Sequence, residues 1–372
     1  MSVLAVGLMS GTSLDGIDAA LVGIEGGRLE LQAFHTRPYT DAERAALLDV
    51  VGGAASVREV ALLHRRLGTW FAEAARQVLD VAGVAPDRLE FVASHGQTVW
   101  HEPGTATLQI GCAHTIAEQL GVRVVSDFRS RDVAAGGQGA PLVPLADAML
   151  FGHPDHPRAL LNIGGMANVT WVPRLGSTDG VIAFDTGPGV AVVDAVARMV
   201  DPTAPFDQDG RRAARGAVRQ EVLEALLALP YFQQPPPKST GRETFGAAFA
   251  EQLVAAVRES DPSADADDLV ATALAFTVAS IADQFIRWLP DKTGRDLVVS
   301  GGGARNPVLL ERLAATLDGW TVARFDDLFF DGDAKEAATF AYLGWRALLG
   351  EPGNVPAATG ADGPRVLGSV TL

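Results

Sequence analysis

The sequence predicts an α/β protein with a mixed sheet in each half of the chain. Strand-like apolar runs alternate with helical patterns along its 372 residues, as is typical of this class. Residues 3–22 and 159–172 share one design: a strand, a polar turn that contains glycine, and a second strand. Antiparallel hairpins argue against a Rossmann fold, and neither a G-x-G-x-x-G after the first strand nor a Walker lysine motif appears. The two hairpins, roughly half a chain apart, predict a duplicated fold that closes on one nucleotide.

The composition narrows the range of partners. Hydrophobic residues make up 48% and charged residues 20%, which is enough apolar material for two domains of ordinary size. The formal net charge of −15 argues against nucleic acid as a partner, because such binding depends on neutralising phosphates with Lys and Arg. A few local donors would still suffice for a small phosphorylated ligand.

A single cysteine, Cys112, argues against an intrachain disulfide and a Cys-based zinc site. A reduced, cytoplasmic setting is therefore expected. Residues 1–9 are apolar but short and lack a basic lead, so they predict a strand and not a signal peptide. The uncharged segment 269–282 is too short to span a bilayer and predicts a buried helix, so no membrane is expected as a partner.

Residues 1–145 are predicted to form the first domain. The capping-box sequence Ser56-Val57-Arg58-Glu59 begins a long helix that Gly83 ends. A long polar, Gly-rich loop at 126–141 precedes the domain boundary. Helices are expected at 41–51, 57–82 and 113–120, and strands at 89–94 and 122–126.

Residues 146–372 are predicted to form the second domain, with a tail from about 351 that could pack back on the first. The Pro-rich segment 233–246 is equally consistent with a mobile lid and with a simple connecting loop. Strands are expected at 181–184, 296–300 and 366–372, the last at a sheet edge, and helices at 190–199 and in a pair that ends near Leu289.

Three glycine-rich turns are candidates for holding a nucleotide through backbone N–H groups. Gly11 and Gly16 are expected to supply positive φ angles in the first turn, and Asp15 or Asp18 could hold a metal-bound water. Each turn alone could equally be an ordinary solvated or packing turn. The candidate residues are Gly11, Thr12, Ser13, Leu14, Asp15, Gly16, Ile17 and Asp18 in the first, Asn162, Gly164 and Gly165 in the second, and Gly301, Gly302, Gly303 and Asn306 in the third.

Asp185 is the leading catalytic candidate. It follows an apolar strand and opens a Gly-Pro-Gly turn, where a carboxylate can act as general base on a water or a hydroxyl. The alternative is an N-cap for the helix that follows. The glycine-rich turns favour the catalytic role, because a nucleotide bound by them would be a substrate for the reaction.

A polar set in the first half is predicted to line a substrate cleft. Hydroxyl, amide and paired Arg and Asp groups can bind sugar hydroxyls, amides and carboxylates, and the alternative is a structural ion-pair network. Glu336 could reach a metal-bound water or a hydroxyl, or it could simply lie in a solvated first helical turn. His95 and His101 lack a third ligand in register, so no transition-metal site is expected. The set comprises His95, Gln97, Thr98, Asp127, Arg129, Arg131 and Asp132.

These motifs together resemble the anhydro-N-acetylmuramic acid kinase family of the sugar kinase, heat-shock protein 70 and actin superfamily. The resemblance implies two actin-like (ribonuclease H-like) domains with mixed sheets flanking a nucleotide cleft. It also implies ATP with Mg²⁺, a homodimer, and a role in bacterial cell-wall recycling. The motifs that carry it are 7–18, 95–98, 126–141, 162–168, 184–189 and 301–306.

The reaction that this resemblance implies opens the 1,6-anhydro ring of the sugar with water while O6 takes the γ-phosphoryl group of ATP. Asp185 matches the family's catalytic base, and Thr98, Arg131 and Asn168 match sugar contacts. Two positions depart from the family pattern. Val190 replaces an Asn after the Gly-Pro-Gly turn, which could remove a hydrogen bond, and Cys112 replaces a polar residue.

Two alternatives remain open from the sequence. A related kinase could act on a different sugar, in which case residues 127–132 would contact other groups. An actin-like or chaperone-like switch protein would instead use ATP hydrolysis to drive conformational change, and it would turn over ATP without added sugar.

Overall fold

The computed structural model describes residues 2–290 and 295–372, which form two compact units. Residues 1–150 and 333–372 make up the first unit, and residues 151–332 make up the second. The division falls at 150/151, compared with the predicted boundary near 145, and the chain from Asp333 on belongs to the first unit. Each unit contains its own mixed sheet, so the predicted α/β class is confirmed.

The two sheets share one topology. The first has the order β12-β6-β4-β1-β2-β3, with β5 paired to β4, and the second has the order β11-β10-β7-β8-β9. In both, the first three strands of the unit pair antiparallel and two later strands continue the sheet in parallel, β4 and β6 in the first unit and β10 and β11 in the second. The first sheet has β5 and β12 as additional antiparallel strands. This is a duplicated ribonuclease H-like arrangement, as predicted. The strands are β1 (Val3–Ser10), β2 (Gly16–Glu25), β3 (Arg28–Pro38), β4 (Phe91–Glu102), β5 (Ala106–Ile110), β6 (Val124–Ser126), β7 (Arg158–Ile163), β8 (Met166–Val172), β9 (Ile182–Pro188), β10 (Arg295–Ser300), β11 (Trp320–Arg324) and β12 (Ser369–Thr371).

The helices of the described residues cover the sheets and link the strands. They are α1 (Asp41–Val51), α2 (Val57–Ala82), α3 (Ala113–Leu120), α4 (Ser130–Ala134), α5 (Val143–Ala146), α6 (Ala191–Val200), α7 (Arg211–Arg215), α8 (Gln220–Leu227), α9 (Pro230–Gln233), α10 (Ala247–Ser260), α11 (Ala266–Trp288), α12 (Pro307–Thr316), α13 (Phe325–Leu328), α14 (Lys335–Leu348) and α15 (Pro356–Thr359).

The ends of α2 follow from local chemistry. The Ser56 hydroxyl accepts the Glu59 N–H while the Glu59 carboxylate accepts the Ser56 N–H, so the predicted capping box is present. Gly83 ends the helix in the left-handed region at φ 66°. One face of the helix is apolar and packs into the core of the first unit through residues such as Leu67 and Phe71.

The long helix α14, near the end of the chain, packs against the first strand. A Cβ on Gly7 would overlap the carbonyl oxygen of Ala337, and a Cβ on Gly344 would come within 2.8 Å of Ala93 and Phe91. Small residues on both sides therefore let the helix lie close to the sheet. This contact explains why the chain from Asp333 on belongs to the first unit. The sequence had suggested the second domain for these residues, with only the tail from about 351 packing back on the first.

Several strands extend beyond their predicted ends. β4 continues through the polar residues 95–102 because it pairs with β5, and β9 continues through Asp185 to Pro188 because it pairs with β8. The segment 126–141 is not a plain loop, because it contains α4. β12 pairs only with β6 and is the predicted edge strand.

The core of the second unit is built around α11. This helix is long and apolar enough to cross a membrane by composition alone, but 78% of its most apolar window is buried inside the protein. Phe276 and Phe285 pack there among aromatic side chains from α9 and β11. The predicted buried helix at 269–282 is therefore confirmed as part of a core helix.

Candidate functional site

The turn between β1 and β2 owes its shape to different residues than predicted. Leu14 is the residue with positive φ, at 54°, and the prediction of positive φ at Gly11 and Gly16 is wrong. Gly16 is required for another reason, since a Cβ there would lie 2.6 Å from the backbone oxygen of Arg37. A Cβ on Gly11 would meet only the Ser13 hydroxyl at 3.7 Å, so the protein itself does not need glycine at that position. Open space at Gly11 fits a close approach by a ligand.

The tip of this turn is accessible. Thr12, Ser13 and Asp15 are exposed, whereas Leu14 and Ile17 are buried and anchor the turn. The Ser13 hydroxyl donates to the Asp15 carboxylate at 2.7 Å. The exposed hydroxyl of Thr12 and the backbone at Gly11 are therefore the parts of the turn that are open to a phosphate.

Gln97, predicted as a sugar contact, instead supports the turn from below. Its side chain is fully buried, its Oε1 accepts the Ser10 hydroxyl at 2.6 Å, and its Nε2 donates to the Gly11 carbonyl at 3.3 Å. Thr98 next to it is half-buried and accepts a hydrogen bond from Gln109 at 3.1 Å. The Thr98 O–H can thus still donate to a ligand, whereas the amide of Gln97 is already occupied.

Negative charge is concentrated around the first turn. Burial raises the pKa of Asp18 to about 6, and the charges of Asp15, Glu336 and Asp333 raise it further against a 2.6 Å hydrogen bond from Thr36. The Glu336 side chain is exposed in the first turn of α14, with the positive charges of Arg129 and Lys335 nearby. Carboxylate oxygens are the ligands that Mg²⁺ prefers, so the chemistry of these side chains is compatible with that ion.

Asp132 is the centre of a structural network. Its buried carboxylate accepts the Gly139 N–H at 2.8 Å, the Asn354 amide at 2.7 Å and the Thr359 hydroxyl at 2.8 Å. All of these partners belong to the first unit. For Asp132 the structural alternative to sugar binding therefore holds.

Arg129 and His95 form a second buried pair. Arg129 Nε donates to His95 Nε2 at 2.9 Å, and the ring's other nitrogen lies 2.8 Å from the Gly96 carbonyl. Burial and the guanidinium charge hold the pKa of His95 well below its usual value, and burial lowers the pKa of Arg129 to about 10. A neutral His95 with both nitrogens engaged is a structural residue.

Asp127 and Arg131 are exposed, and each makes a hydrogen bond within the first unit. The Asp127 carboxylate accepts the Ser130 hydroxyl beside α4, and Arg131 donates to the Val366 carbonyl at 3.0 Å. Arg131 uses one of its nitrogens in this contact, so the rest of the guanidinium fork remains available to an anionic group.

In the second unit, the sheet brings the predicted residues into one row. Asp185 in β9 lies opposite Asn168 in β8, and Asn168 lies opposite Asn162 in β7. Asn162 in turn lies beside Ser300 in β10. Residues that pair directly share one face of a sheet, so the three predicted residues from three strands form a continuous polar strip.

The surroundings of Asp185 suit a general base. Its Oδ2 accepts the Thr240 N–H at 2.9 Å, and the Tyr231 hydroxyl donates to its backbone oxygen at 2.6 Å. Burial raises the pKa of Asp185 to about 6; the Thr240 hydrogen bond opposes this shift and the charge of Glu243 adds to it. The alternative of an N-cap is wrong, because Val190 occupies the N-cap of α6 without a side-chain hydrogen bond.

The second glycine turn rests against the start of α6. The Val190 N–H donates to the Gly164 carbonyl at 2.9 Å, so the backbone fixes this turn whichever side chain stands at position 190. A Cβ on Gly164 or Gly165 would make only contacts of 3.7 Å or longer, among them the Arg242 guanidinium at 3.8 Å from Gly165. The protein therefore leaves open space at this turn beside an exposed cation.

The third glycine turn divides into packing and open positions. Gly301 has φ 81° and a Cβ there would lie 2.5 Å from Asn162 Oδ1, while Gly303 packs directly on Ile163. Only Gly302 of the three faces open space. Asn306 is the N-cap of α12, and its Oδ1 accepts the Leu309 N–H at 3.1 Å. The side-chain oxygen of Asn306 therefore stabilises the start of this helix.

A histidine cluster elsewhere in the second unit does not form a metal centre as it stands. The ligand atoms of His153, His156 and Asp296 lie within 4.8 Å of one another. The two imidazole rings are stacked at 3.6 Å with a 9° interplanar angle, so their in-plane lone pairs cannot converge on one ion. Asp296 is also paired with Arg158 at 2.9 Å.

Sequence reasoning missed the residues of the Pro-rich segment that surround Asp185. Lys238, Thr240 and Arg242 contribute a backbone carbonyl, a backbone N–H and a guanidinium to the neighbourhood of the predicted site. Their clustering at 238–242 was visible as a Lys-Ser-Thr-Gly-Arg run, but only the fold shows what the run approaches.

The duplicated topology, with a glycine-containing hairpin turn at the start of each unit, places the protein in the actin-like ATPase-fold class of the sugar kinases and heat-shock protein 70. A family model described as anhydro-N-acetylmuramic acid kinase matches residues 3–372. The chain belongs to this family.

Full-length relatives bear the same description. The anhydro-N-acetylmuramic acid kinase of Xanthomonas campestris pv. campestris is 45% identical over 99% of this chain and 97% of its own. That of Chromobacterium violaceum is 43% identical over 100% and 99%, and that of Caldanaerobacter subterraneus subsp. tengcongensis is 41% identical over 99% and 97%. A solved structure, component A of the (R)-2-hydroxyglutaryl-CoA dehydratase of Acidaminococcus fermentans, covers 91% of this chain and 96% of its own at 14% identity and a TM-score of 0.49, a likeness too distant to bear on function.

Proposed function

We propose that this protein is an ATP-dependent kinase that opens 1,6-anhydro-N-acetylmuramic acid and phosphorylates it at O6, in the recycling of peptidoglycan. The observation that carries the proposal is the Asp185 carboxylate, which is half-buried, held by the Thr240 N–H and raised in pKa to about 6. A carboxylate with that pKa is mostly ionised at neutral pH yet remains basic enough to accept a proton. Membership in the kinase family supplies the reaction for such a base.

The reaction balances with one base. Asp185 takes a proton from water as the water oxygen bonds to the anomeric carbon, and the bond from that carbon to O6 breaks. The freed O6 bonds to the γ-phosphorus of ATP, and ADP leaves. The products are N-acetylmuramic acid 6-phosphate, ADP and a protonated Asp185, which returns its proton to solvent.

The phosphates of ATP are assigned to the glycine turns of the two units. The open positions at Gly11, Gly164 and Gly165 leave room for close backbone approach to the phosphates, and Thr12 and Ser13 add exposed hydroxyls. The third turn is assigned to the adenosine, which the open position at Gly302 allows to approach the backbone. Mg²⁺, when bound, would neutralise charge on the phosphates, with Asp15 holding it through water and Asp18 and Glu336 completing the acidic surroundings. The remaining predicted nucleotide residues, Leu14, Gly16, Ile17, Asn162, Gly301, Gly303 and Asn306, shape these turns.

The sugar is assigned to Thr98, Arg131, Asn168, Asp127 and Glu336. The free O–H of Thr98 and the remaining N–H groups of Arg131 suit hydroxyl and carboxylate groups of such a sugar. Asn168 lies opposite Asp185, so we assign it to the part of the sugar around the anomeric carbon. A homodimer, which the sequence resemblance implies, and a cytoplasmic setting, which the single cysteine led us to expect, belong to the same proposal.

ADP release tests this function. ATP and Mg²⁺ are supplied with and without 1,6-anhydro-N-acetylmuramic acid, in parallel for the wild type and Asp185→Asn. The expected result is turnover that depends on the sugar and falls by about 10²–10⁴-fold in the variant, the usual effect of losing a general base. Sugar-independent turnover, or a variant as fast as the wild type, would overturn the assignment and favour a switch protein or another acceptor.

A further inference from the structure

One short segment of the chain holds both the backbone and the carboxylate of Asp185. The Asp185 N–H donates to the Lys238 carbonyl at 3.0 Å, and the Thr240 N–H donates to Asp185 Oδ2 at 2.9 Å. The direction of the carboxylate therefore depends on where residues 238–240 lie. These residues belong to the stretch 234–246 between α9 and α10, which contains no regular helix or strand of its own.

The Lys238 side chain ties this segment to the core of the second unit. Its ammonium group donates to the Tyr231 carbonyl at 3.0 Å and to Gln284 Oε1 of α11. It also lies 4.6 Å from the ring centroid of Tyr231 and 6.0 Å from that of Trp288, within the range of cation–π attraction. Gln284 is itself fully buried and donates to the Phe232 carbonyl at 3.0 Å.

The partners of this ammonium group are neutral. Among the described residues, no carboxylate lies within ion-pair distance of Lys238, although Asp283 is close enough to act on it weakly. Burial lowers the pKa of Lys238 to about 8. Removing an ammonium group from water without a paired carboxylate is unfavourable. The two hydrogen bonds and two aromatic contacts of Lys238 therefore indicate that its side chain has a structural role.

We propose that Lys238 is a positioning residue for Asp185: its ammonium group fixes residues 238–240, whose backbone then holds the base in place. The role rests on the proposed function, because it assumes that Asp185 is the base. It goes beyond that function by giving the Pro-rich segment a role: the segment is anchored to the core by Lys238 and positions the base, so it is more than a connection between helices.

The charged and titratable groups around Asp185 determine in which direction its pKa changes when residues 238–240 are no longer held in place. Tyr231 and Glu243 face it, and the Thr240 N–H bonds to it. If the segment is released, the carboxylate loses the Thr240 hydrogen bond that stabilises its charged form, while the Glu243 charge remains nearby. The pKa of Asp185 then rises, and the acidic limb of the pH profile moves to higher pH.

The test compares Lys238→Met, Lys238→Arg and a matched control, Arg258→Met. Arg258 is exposed on α10 of the same unit, so its variant removes one positive charge far from the segment. For Lys238→Met we expect kcat to fall about tenfold or more at pH 7.5, the KM for ATP to stay within about twofold, and the acidic limb of kcat to move up by at least about half a pH unit. Lys238→Arg should recover most of the loss, and Arg258→Met should match the wild type.

Two further measurements keep the outcome decisive. Carbon-13 NMR titration of the Asp185 carboxyl in the enzyme without substrates should show the same upward shift in Lys238→Met. If that variant does not fold, Gln284→Leu removes the oxygen that accepts a hydrogen bond from the Lys238 ammonium group and should shift the profile in the same direction by less. An unchanged profile with only a lower melting temperature would overturn the positioning role.

The wild-type assay separates the two proposals. Absence of sugar-dependent turnover in the wild type would mean that the proposed function fails. Sugar-dependent turnover in the wild type together with an unaltered Lys238→Met enzyme would leave the function intact and reject the role of Lys238.

Discussion

Asn168 lies directly opposite Asp185 across the β8–β9 pair, beside a register shift between Ala167 and Asn168. Directly opposed side chains on one sheet face have Cβ atoms about 4.5–5.5 Å apart. One substrate group between them could therefore receive a hydrogen bond from the Asn168 amide while its attacking water gives a proton to Asp185.

The pH dependence of catalysis should report Asp185. The proposed base can act only when it is ionised, and burial raises the pKa of Asp185 to about 6, so kcat/KM should fall about tenfold for each pH unit below about 6 and level off above it. Steady-state kinetics between pH 5 and 8 at about constant ionic strength would measure this.

Asp194 provides the control for that profile. Its pKa is also raised to about 6 by burial, but it lies on α6, and Arg198 and Arg242 oppose the shift. Asp194→Asn should keep the acidic limb where it is. Residual turnover of Asp185→Asn that shows the same limb would contradict the role of Asp185.

Replacing the base should make the protein more stable at neutral pH. The folded-state pKa of Asp185 is raised above its value of 3.8 in an unfolded chain, so its contribution to stability is present below that value and is lost as pH rises through about 6. Asp185→Asn removes this cost and should raise the free energy of unfolding by about 1–2 kcal/mol at pH 7.5, allowing for partial solvent screening.

Urea unfolding of wild type and Asp185→Asn at pH 7.5 and pH 5 measures this difference. The gap should narrow at the lower pH, because the wild-type carboxyl is then largely protonated. A variant that is less stable than the wild type at pH 7.5 would show that the ionised carboxylate is stabilised by its surroundings.

Two glycines of the first turn should respond differently to alanine. Gly16→Ala places a Cβ 2.6 Å from the Arg37 backbone oxygen and should destabilise the protein by about 1–3 kcal/mol through overpacking. Gly11→Ala meets nothing closer than 3.7 Å and should leave the unfolding midpoint nearly unchanged while raising the KM for ATP.

Thermal melts and ATP titrations on the two variants check this pair. The informative comparison is between stability and KM within each variant. A Gly11→Ala protein that is as stable as the wild type and has an unaltered KM for ATP would remove Gly11 from the proposed phosphate site.

Loss of the Asp132 carboxylate should be costly for folding. Asp132→Ala leaves three buried donors without their acceptor, and each unsatisfied group costs about 1–3 kcal/mol, so we expect a loss of about 3 kcal/mol or more. The exposed Asp87→Ala change in the same unit should cost less than about 0.5 kcal/mol. Chemical denaturation of both variants measures the difference, and equal effects would show that the network is solvated.

Local sequence signals predicted those parts of the fold that depend on near neighbours. The Ser56–Glu59 capping box and Gly83 marked both ends of α2, and the glycine turns marked the two hairpins. The end of β4 was missed because its polar residues 95–102 are held in a strand by pairing with β5, which composition does not reveal.

Long-range packing accounts for most of what the sequence left undetermined. Asp185 was found as a carboxylate after an apolar run, but its neighbours Lys238 and Thr240 come from a loop about fifty residues later and are joined to it by backbone atoms, which any residue supplies. Gln97 shows the converse case. Its side chain suggested a sugar contact, and its burial beneath Gly11 is a property of tertiary structure alone.

The close packing of α14 on β1 has a consequence for how the chain is made. The ribosome releases the whole of the second unit before it completes α14 and β12, which finish the first. Domains fold as units while synthesis proceeds, so residues 151–332 can fold before α14 has been synthesised. Until then, the surface of β1 around Gly7 is not covered by that helix. A chain truncated before α14 would therefore have a folded second unit and an incomplete first unit, whose exposed apolar surface chaperones and proteases could recognise.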